Sequence, residues 1–208
     1  MFDSAIRSFT EGGAFMYAIL GVLIVNVAII VERFIFISVK NRIDTAAFVN
    51  KMIELIQRGN VADAIRICNS SDAALPQITR AGLEEFGKSP TDIQNALELA
   101  AMAEIPKLEK RTQYLSMFAN VATLLGLLGT IFGLISSFDA VANAPAAEKA
   151  TLLSSGIAIA MNTTAFGLIA AIPGLLGYSY IQEKTSALID NINENIARIY
   201  RRMVSARG

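Results

Sequence analysis

Two long apolar stretches of this chain hold the side chains that could handle an ion. In the first, Ser116, Asn120, Thr123, Thr130 and Ser137 recur with Leu127 and Leu134 at alternating spacings of four and three, which sets them on one stripe of a helix. In the second, Thr151, Ser155 and Asn162 lie near one face; Thr164 shares another with Ile157, Ala160 and Ala171, and Thr163 falls between them. Hydroxyls and amides accept and donate hydrogen bonds, so they can relay a proton, but they cannot store one near neutral pH. A lone Thr in a membrane helix more often bonds back to its own backbone or joins helices. Several at regular spacing raise the weight of a lining role.

Equally informative is what these stretches lack. Residues 112–138 and 150–182 contain no Asp, Glu, Lys or Arg, and the chain has no His. Proton handling inside a membrane needs an ionisable group at that depth, so if protons pass here a partner supplies the carboxylate. The same absence argues against an enzyme, since no buried acid or Cys–His pair offers a general base and no glycine loop is placed to cradle a phosphate. Nothing in the sequence calls for a metal, a cofactor or nucleic acid.

The elements that position these residues follow from hydropathy and charge. Between Arg111 and Glu183 the only charges are Asp139, Glu148 and Lys149, all in one short break, which describes two spans joined by a tight turn. A third charge-free run, Gly12 to Val31, precedes Glu32-Arg33 and continues apolar to Ile37. With 53% hydrophobic residues and 18 basic against 18 acidic ones, the chain reads as an all-α integral membrane protein with three transmembrane helices. Two of them are expected to extend into a helical cytoplasmic domain.

Sixteen of the 18 basic residues fall in 32–111 or after 182. The positive-inside rule then sets residues 1–11 outside, 12–37 as the first span, 38–111 as a cytoplasmic domain, 112–138 as the second span, 139–149 as an external turn, 150–182 as the third span and 183–208 as a cytoplasmic amphipathic tail. The first span lacks a preceding basic cluster and a small-residue cleavage pattern, so it reads as a retained anchor. Glu32-Arg33, at the cytoplasmic end of that span, suits an interfacial anchor or an ion pair between subunits. Cys68 is the lone cysteine and forms no intramolecular disulfide.

Helix punctuation organises the cytoplasmic part. Asp44 caps a helix carrying Phe48, Met52, Leu55 and Ile56 that Gly59 ends; Asn60 opens a short one with Ala64, Ile65 and Cys68; Pro76 starts a third that Gly87 stops. Ser89-Pro90-Thr91-Asp92 is a helix start with no convincing stop before Asp139, so one helix is expected to run from Ser89 into the second span, bent at Pro106. After the third span Leu188, Ile192, Ile196 and Ile199 form an apolar stripe expected to pack on the chain's own cytoplasmic helices.

The packing residues complete the picture. Gly126, Gly129 and Gly133 follow one another closely, with Gly129 and Gly133 in a GxxxG pattern. Gly167 and Pro173 sit among further small residues of the third span, a composition that lets helices approach closely and a proline that can kink one. The stretch Val121-Ala-Thr-Leu-Leu-Gly-Leu-Leu-Gly-Thr-Ile-Phe-Gly-Leu-Ile-Ser-Ser-Phe138 and the later Gly156-Ile-Ala-Ile-Ala-Met-Asn-Thr-Thr-Ala-Phe-Gly-Leu-Ile-Ala-Ala-Ile-Pro173 resemble the MotA/TolQ/ExbB proton-channel family, most closely its ExbB/TolQ branch. The three-span order, the large first cytoplasmic loop and the Glu-Arg pair look like that branch, whereas MotA-type stators have four spans.

The resemblance implies a homopentamer in the bacterial inner membrane, its N-terminus periplasmic, surrounding a dimer of an ExbD/TolR-like single-span partner whose membrane aspartate carries protons. It implies a motor acting on a TonB/TolA-like or motility effector. Thr130 and Thr164 fall on the two pore threonines of that family, with Asn120, Thr123, Ser137, Asn162 and Thr163 as further candidates for the pore face. The sequence departs from the family pattern at Thr123, where Pro is common, and at Ile159, where many members carry Glu; the second departure sharpens dependence on the partner's carboxylate. A non-conducting envelope scaffold is the competing reading, and H⁺ and Na⁺ both remain open as the ion.

Overall fold

The computed structural model describes Phe9, residues 13–41 and residues 43–206. The expected external N-terminus, residues 1–11, lies outside the described residues apart from Phe9, as does Gly12 of the expected first span. From Ala14 on, the described residues form seven α-helices, α1 (Ala14–Ile35), α2 (Thr45–Gln57), α3 (Val61–Cys68), α4 (Ala74–Glu84), α5 (Pro90–Glu109), α6 (Thr112–Ala142) and α7 (Lys149–Ser205), and no strand occurs among them. Three stretches are long and apolar enough to cross a bilayer, within Ala14–Val39, Pro90–Ala142 and Lys149–Ser205. The protein is all-α with three such stretches, as its hydropathy requires.

Most helix boundaries follow local chemistry. Asp44 accepts from the Ala47 amide at 3.0 Å to open α2, and Asn60 accepts from the Asp63 amide at 3.3 Å to open α3. Ser89 and Asp92 form a reciprocal capping box at the start of α5, with Pro90 at its first position. Pro76 does not start α4: that helix begins at Ala74 and takes Pro76 as its third residue, a position where a missing N–H costs nothing.

The unbroken helix expected from Ser89 to Asp139 does not form. It divides at Lys110-Arg111, where Lys110 leaves helical geometry (ψ 135°) and Arg111 takes a left-handed conformation (φ 69°). Pro106 removes one backbone donor within the last turn of α5, and the Lys110 amide closes that turn on the Pro106 carbonyl at 3.0 Å. α7, by contrast, runs 57 residues without a break and contains Pro173.

The chain divides into two compact units. One comprises Met1–Val31 and Arg111–Tyr180, and so contains most of α1, all of α6 and the first part of α7. Its closest-packed residues are small: Ala119, Ala122, Ala170 and Ala171 surround Ile19, flanked by Val22, Leu23, Leu125 and Phe166. Large apolar side chains such as Ile24, Leu124, Leu128, Ile135, Ile169 and Leu176 point outward instead, as expected where the surroundings are hydrocarbon.

The other unit comprises Glu32–Lys110 and Ile181–Gly208. Here the interior is bulky: Met52, Ile56, Ile78, Leu83, Ile93 and Leu108 of α2, α4 and α5 pack with Ile192, Ile199 and Met203 of α7, and Leu188 and Ile196 join them. The amphipathic tail thus finds its partner in the chain's own helices. Burying each such side chain contributes about 1.5–3 kcal/mol. Cys68 is enclosed in this core, its Sγ 3.9 Å from Met52 Sδ, and burial pushes its thiol up to about 12. A π-helical turn, Phe36–Lys40, follows α1; Asn41 ends it by donating to the Phe36 carbonyl at 3.3 Å and accepting from the Ala74 amide at 3.3 Å. Within the same unit Arg33 is buried, pairs with Glu32 at 3.1 Å and stacks over the Phe36 ring at 4.7 Å.

Candidate ion-handling site in the helix hairpin

The buried face of α6 is a row of small residues, Ala119, Ala122, Gly126 and Gly129, with Gly133 half-buried and Ser137 buried beyond them. On α7 the facing row is Gly156, Ala160, Thr163 and Gly167. The contact is backbone on backbone: a Cβ on Gly167 would lie 2.8 Å from the Ala122 carbonyl oxygen and 2.9 Å from Gly126 Cα, and one on Gly126 would lie 3.1 Å from Gly167 Cα. A Cβ on Gly133 would lie 3.0 Å from Ala160 Cβ and 3.3 Å from its Cα, and Gly129 receives the side chain of Thr163. Glycine is required here for close approach, which is what holds helices together where no water drives them.

That approach brings Thr130 and Thr164 together. Their hydroxyls are hydrogen-bonded to one another across the two helices. Thr130 Oγ1 lies 3.1 Å from the Gly126 carbonyl and 3.2 Å from the Ala160 carbonyl, and Thr164 Oγ1 lies 3.2 Å from Gly126 O. Four oxygens therefore share two hydroxyl protons. With both protons held inside the cluster, the remaining lone pairs can accept from a water, a protonated carboxyl or a cation. Both side chains are half-buried, so the cluster is open on one side.

The other sequence candidates divide. Thr163 is buried and donates to its own helix at Ile159 O, 3.2 Å away. Ser137 is buried, donates to Gly133 O at 2.6 Å and packs against Gly156. Thr123 is exposed and donates to Ala119 O at 3.2 Å, while Asn120 is exposed and Asn162 half-buried. The stripe from Ser116 to Ser137 is therefore not uniform: it is exposed through Asn120, Thr123 and Leu127, half-buried at Thr130 and buried at Ser137. Pro173 is exposed and stands apart from the contact face.

Sequence reasoning missed two features. The Gly126 and Ala160 carbonyls complete the oxygen cluster, and no residue type announces a carbonyl. Asn26 of α1 is also buried, 1% exposed, with neither amide atom hydrogen-bonded, and its side chain fills the notch left by Gly174 against Ala119. A lone polar residue in the first apolar run was the available signal.

Comparisons with known proteins place the chain in a family. The model of the MotA/TolQ/ExbB proton channel family matches residues 70–194. The chain is 31% identical over 195 residues to a biopolymer transport protein ExbB-like 3 of Synechocystis sp., covering 92% of each chain. It is 33% identical to the Tol-Pal system protein TolQ of Pseudomonas aeruginosa over 129 residues, 57% of this chain and 55% of that one. The solved structure of C. jejuni MotAB shares the fold, with a TM-score of 0.60 at 17% identity over 97% of this chain and 75% of that chain. The packed glycine face and its threonine pair lie wholly inside the matched residues, and the chain belongs to the MotA/TolQ/ExbB proton channel family.

Proposed function

We propose that this chain is the stator subunit of an ion-driven motor in the bacterial inner membrane, with Thr130 and Thr164 forming the wall that faces the ion carrier. The observation behind this reading is the hydroxyl pair closed across α6 and α7, set in spans 112–138 and 150–182 that hold no Asp, Glu, Lys, Arg or His. Such a pair can receive and pass a proton but not retain it. The carrier is a carboxylate on a second subunit, an aspartate of an ExbD/TolR-like single-span dimer enclosed by five copies of this chain. Residues 12–37 form the remaining span, the N-terminus and the 139–149 turn are periplasmic, and 38–111 and 183–208 are cytoplasmic. The ion is H⁺. The work is done at the cell envelope through a TonB/TolA-like or motility effector, and no catalytic role is assigned.

The test is ion flux through the complete complex in vesicles carrying Thr130→Val or Thr164→Val, with Thr→Ser at each position as the conservative control. Each Val change removes an interhelical hydrogen bond of about 0.6–2 kcal/mol, too little to prevent assembly. Flux collapses in both Val variants and returns with Ser, while the assembled complex keeps its size. Undiminished flux in both Val variants would eliminate this role and favour the scaffold reading. Flux that follows a Na⁺ gradient and ignores a pH gradient would replace H⁺ by Na⁺.

A further inference from the structure

The second unit holds a cavity of about 580 Å³ for which the chemistry of the hairpin has no use. Its walls come from the π-helical turn after α1, the connection between α3 and α4, the first two turns of α4 and the end of α5. Sites for small ligands span about 300–1,000 Å³, so the space is of ligand size. It is polar: Asn69, Asp72, Gln77, Arg80, Glu104 and Lys107 all line it. Glu104 and Lys107 satisfy one another at 2.6 Å. Arg80 donates from Nη1 to Asn69 Oδ1 at 3.0 Å, and its Nε stands 3.4 Å from Glu84, which is not in the lining. Its Nη2 is uncommitted among the described residues. Asp72 is exposed and has no partner among the described residues.

Helix geometry brings these two charges to one end of the cavity. Helical side chains lean toward the N-terminus of their helix. Arg80, midway along α4, therefore reaches back to Asn69, just ahead of Asp72 in the connection. No side chain at Ala73 caps α4, so the partial positive charge of its first turn adds to that of Arg80; Asn41 takes only the Ala74 amide. Gln77 gives its amide protons to the Ser71 carbonyl at 2.8 Å and keeps its side-chain oxygen as an acceptor on the side of Asp72. A simple anion would leave the Asp72 carboxylate facing it, and an amine would leave Arg80. Only a ligand carrying both charges answers both.

We propose that this cavity binds a phosphoethanolamine group, a zwitterion whose phosphate meets Arg80 and the start of α4 and whose ammonium meets Asp72 and Gln77. Charge-assisted bonds of this kind are stronger than neutral ones and fix the ligand's direction. Phosphate is the anion that the position favours. Phe36 and Leu108 also line the cavity, the first within the expected span 12–37 and the second just before the span 112–138, which sets the site at the level of lipid headgroups. Two sources carry this chemistry there, the head of a phosphatidylethanolamine and the free phosphomonoester.

The experiment has two arms on the complete complex. In nanodiscs of phosphatidylglycerol alone, O-phosphoethanolamine is titrated by calorimetry, with inorganic phosphate as the control. In nanodiscs of equal phosphatidylglycerol and phosphatidylethanolamine, the lipid retained on the protein is identified by native mass spectrometry. Saturable heat from O-phosphoethanolamine supports the site with a free ligand; retention of phosphatidylethanolamine over phosphatidylglycerol supports it with a lipid head. In either arm Asp72→Asn and Arg80→Gln are each expected to weaken binding or retention by about tenfold or more. Asp72→Asn alters an exposed side chain without a partner among the described residues, so it decides alone if Arg80→Gln does not assemble. No binding in either arm, or binding unchanged by Asp72→Asn, overturns the site. Inorganic phosphate binding as tightly as O-phosphoethanolamine overturns the zwitterion. None of these outcomes bears on the threonine pair, since no lining residue falls in 112–182.

Discussion

The α6–α7 face and the core of the second unit solve one problem with opposite materials. In the second unit helices are held apart by Met52, Ile56, Ile78, Leu83 and Ile93, side chains that fill space and leave water behind. Along α6 and α7 the contact is made by Gly126 on Gly167 and Gly133 on Ala160, with almost no side chain between the backbones. Removing apolar surface from water gives nothing where the alternative is lipid, so close dispersion contact and a few polar bonds must suffice. Function follows the material. Only helices this close can bring two short threonine side chains and two main-chain carbonyls into one cluster.

The sharpest way to break that comparison is to make the same substitution in both places. Gly167→Ala puts a methyl group 2.8 Å from the Ala122 carbonyl and 2.9 Å from Gly126 Cα, and neither backbone can turn aside. The expected cost is about 3 kcal/mol, the upper end for overpacking. It should appear as loss of folded protein in detergent unfolding and as loss of ion flux, because the Thr130–Thr164 contact opens with the helices. A fully active Gly167→Ala protein would mean that the backbone contact does not organise the site.

Gly82→Ala in α4 is the matching experiment. The new methyl would meet Leu97 Cδ2 at 2.6 Å and Cγ at 2.8 Å, again too close, but Leu97 can change rotamer. The gain of up to about 1 kcal/mol from replacing a helical glycine offsets part of the strain. The net loss is expected at about 1 kcal/mol, a modest fall in unfolding midpoint with ion flux retained. If Gly82→Ala proved the more damaging of the two, the contrast between backbone and side-chain packing would fail.

How much of this was legible depended on whether the signal was local. Asp44, Asn60 and the Ser89–Asp92 box each marked a helix start because capping is settled within four residues. The spans were legible because hydrocarbon excludes charge, and the close helix approach because glycines recur in both stretches. The break at Lys110-Arg111 was not, since neither residue is a glycine or a proline and a residue such as Arg111 rarely takes a left-handed conformation. Thr130 and Thr164 were singled out by the family resemblance, and the structure brings their hydroxyls together, whereas which of Asn120, Thr123 and Ser137 would be buried depended on how far the polar stripe drifts from the glycine face. Nothing local could place the Asn26 amide against Gly174.

The smallest effect separates the two regions by pH. The hairpin spans 112–138 and 150–182 contain no Asp, Glu, Lys, Arg or His, so their packing has no carboxylate to lose in acid, while α5 opens on an acid. The Ser89 hydroxyl and amide both donate to Asp92 and hold its carboxyl below its ordinary value of 3.8. A depressed folded value means that the charged cap stabilises the folded state above the unfolded pKa and that this stabilisation disappears as pH falls through the folded one. Asp92→Asn should therefore reduce hydrogen-exchange protection of the Asp92 and Ile93 amides, whose carbonyl acceptor is Ser89, at about pH 6. The difference from wild type should shrink as pH falls through the depressed folded value, where the wild-type carboxyl also loses its charge. A difference that persisted unchanged in acid would assign the cap to the geometry of residue 92 and not to its charge.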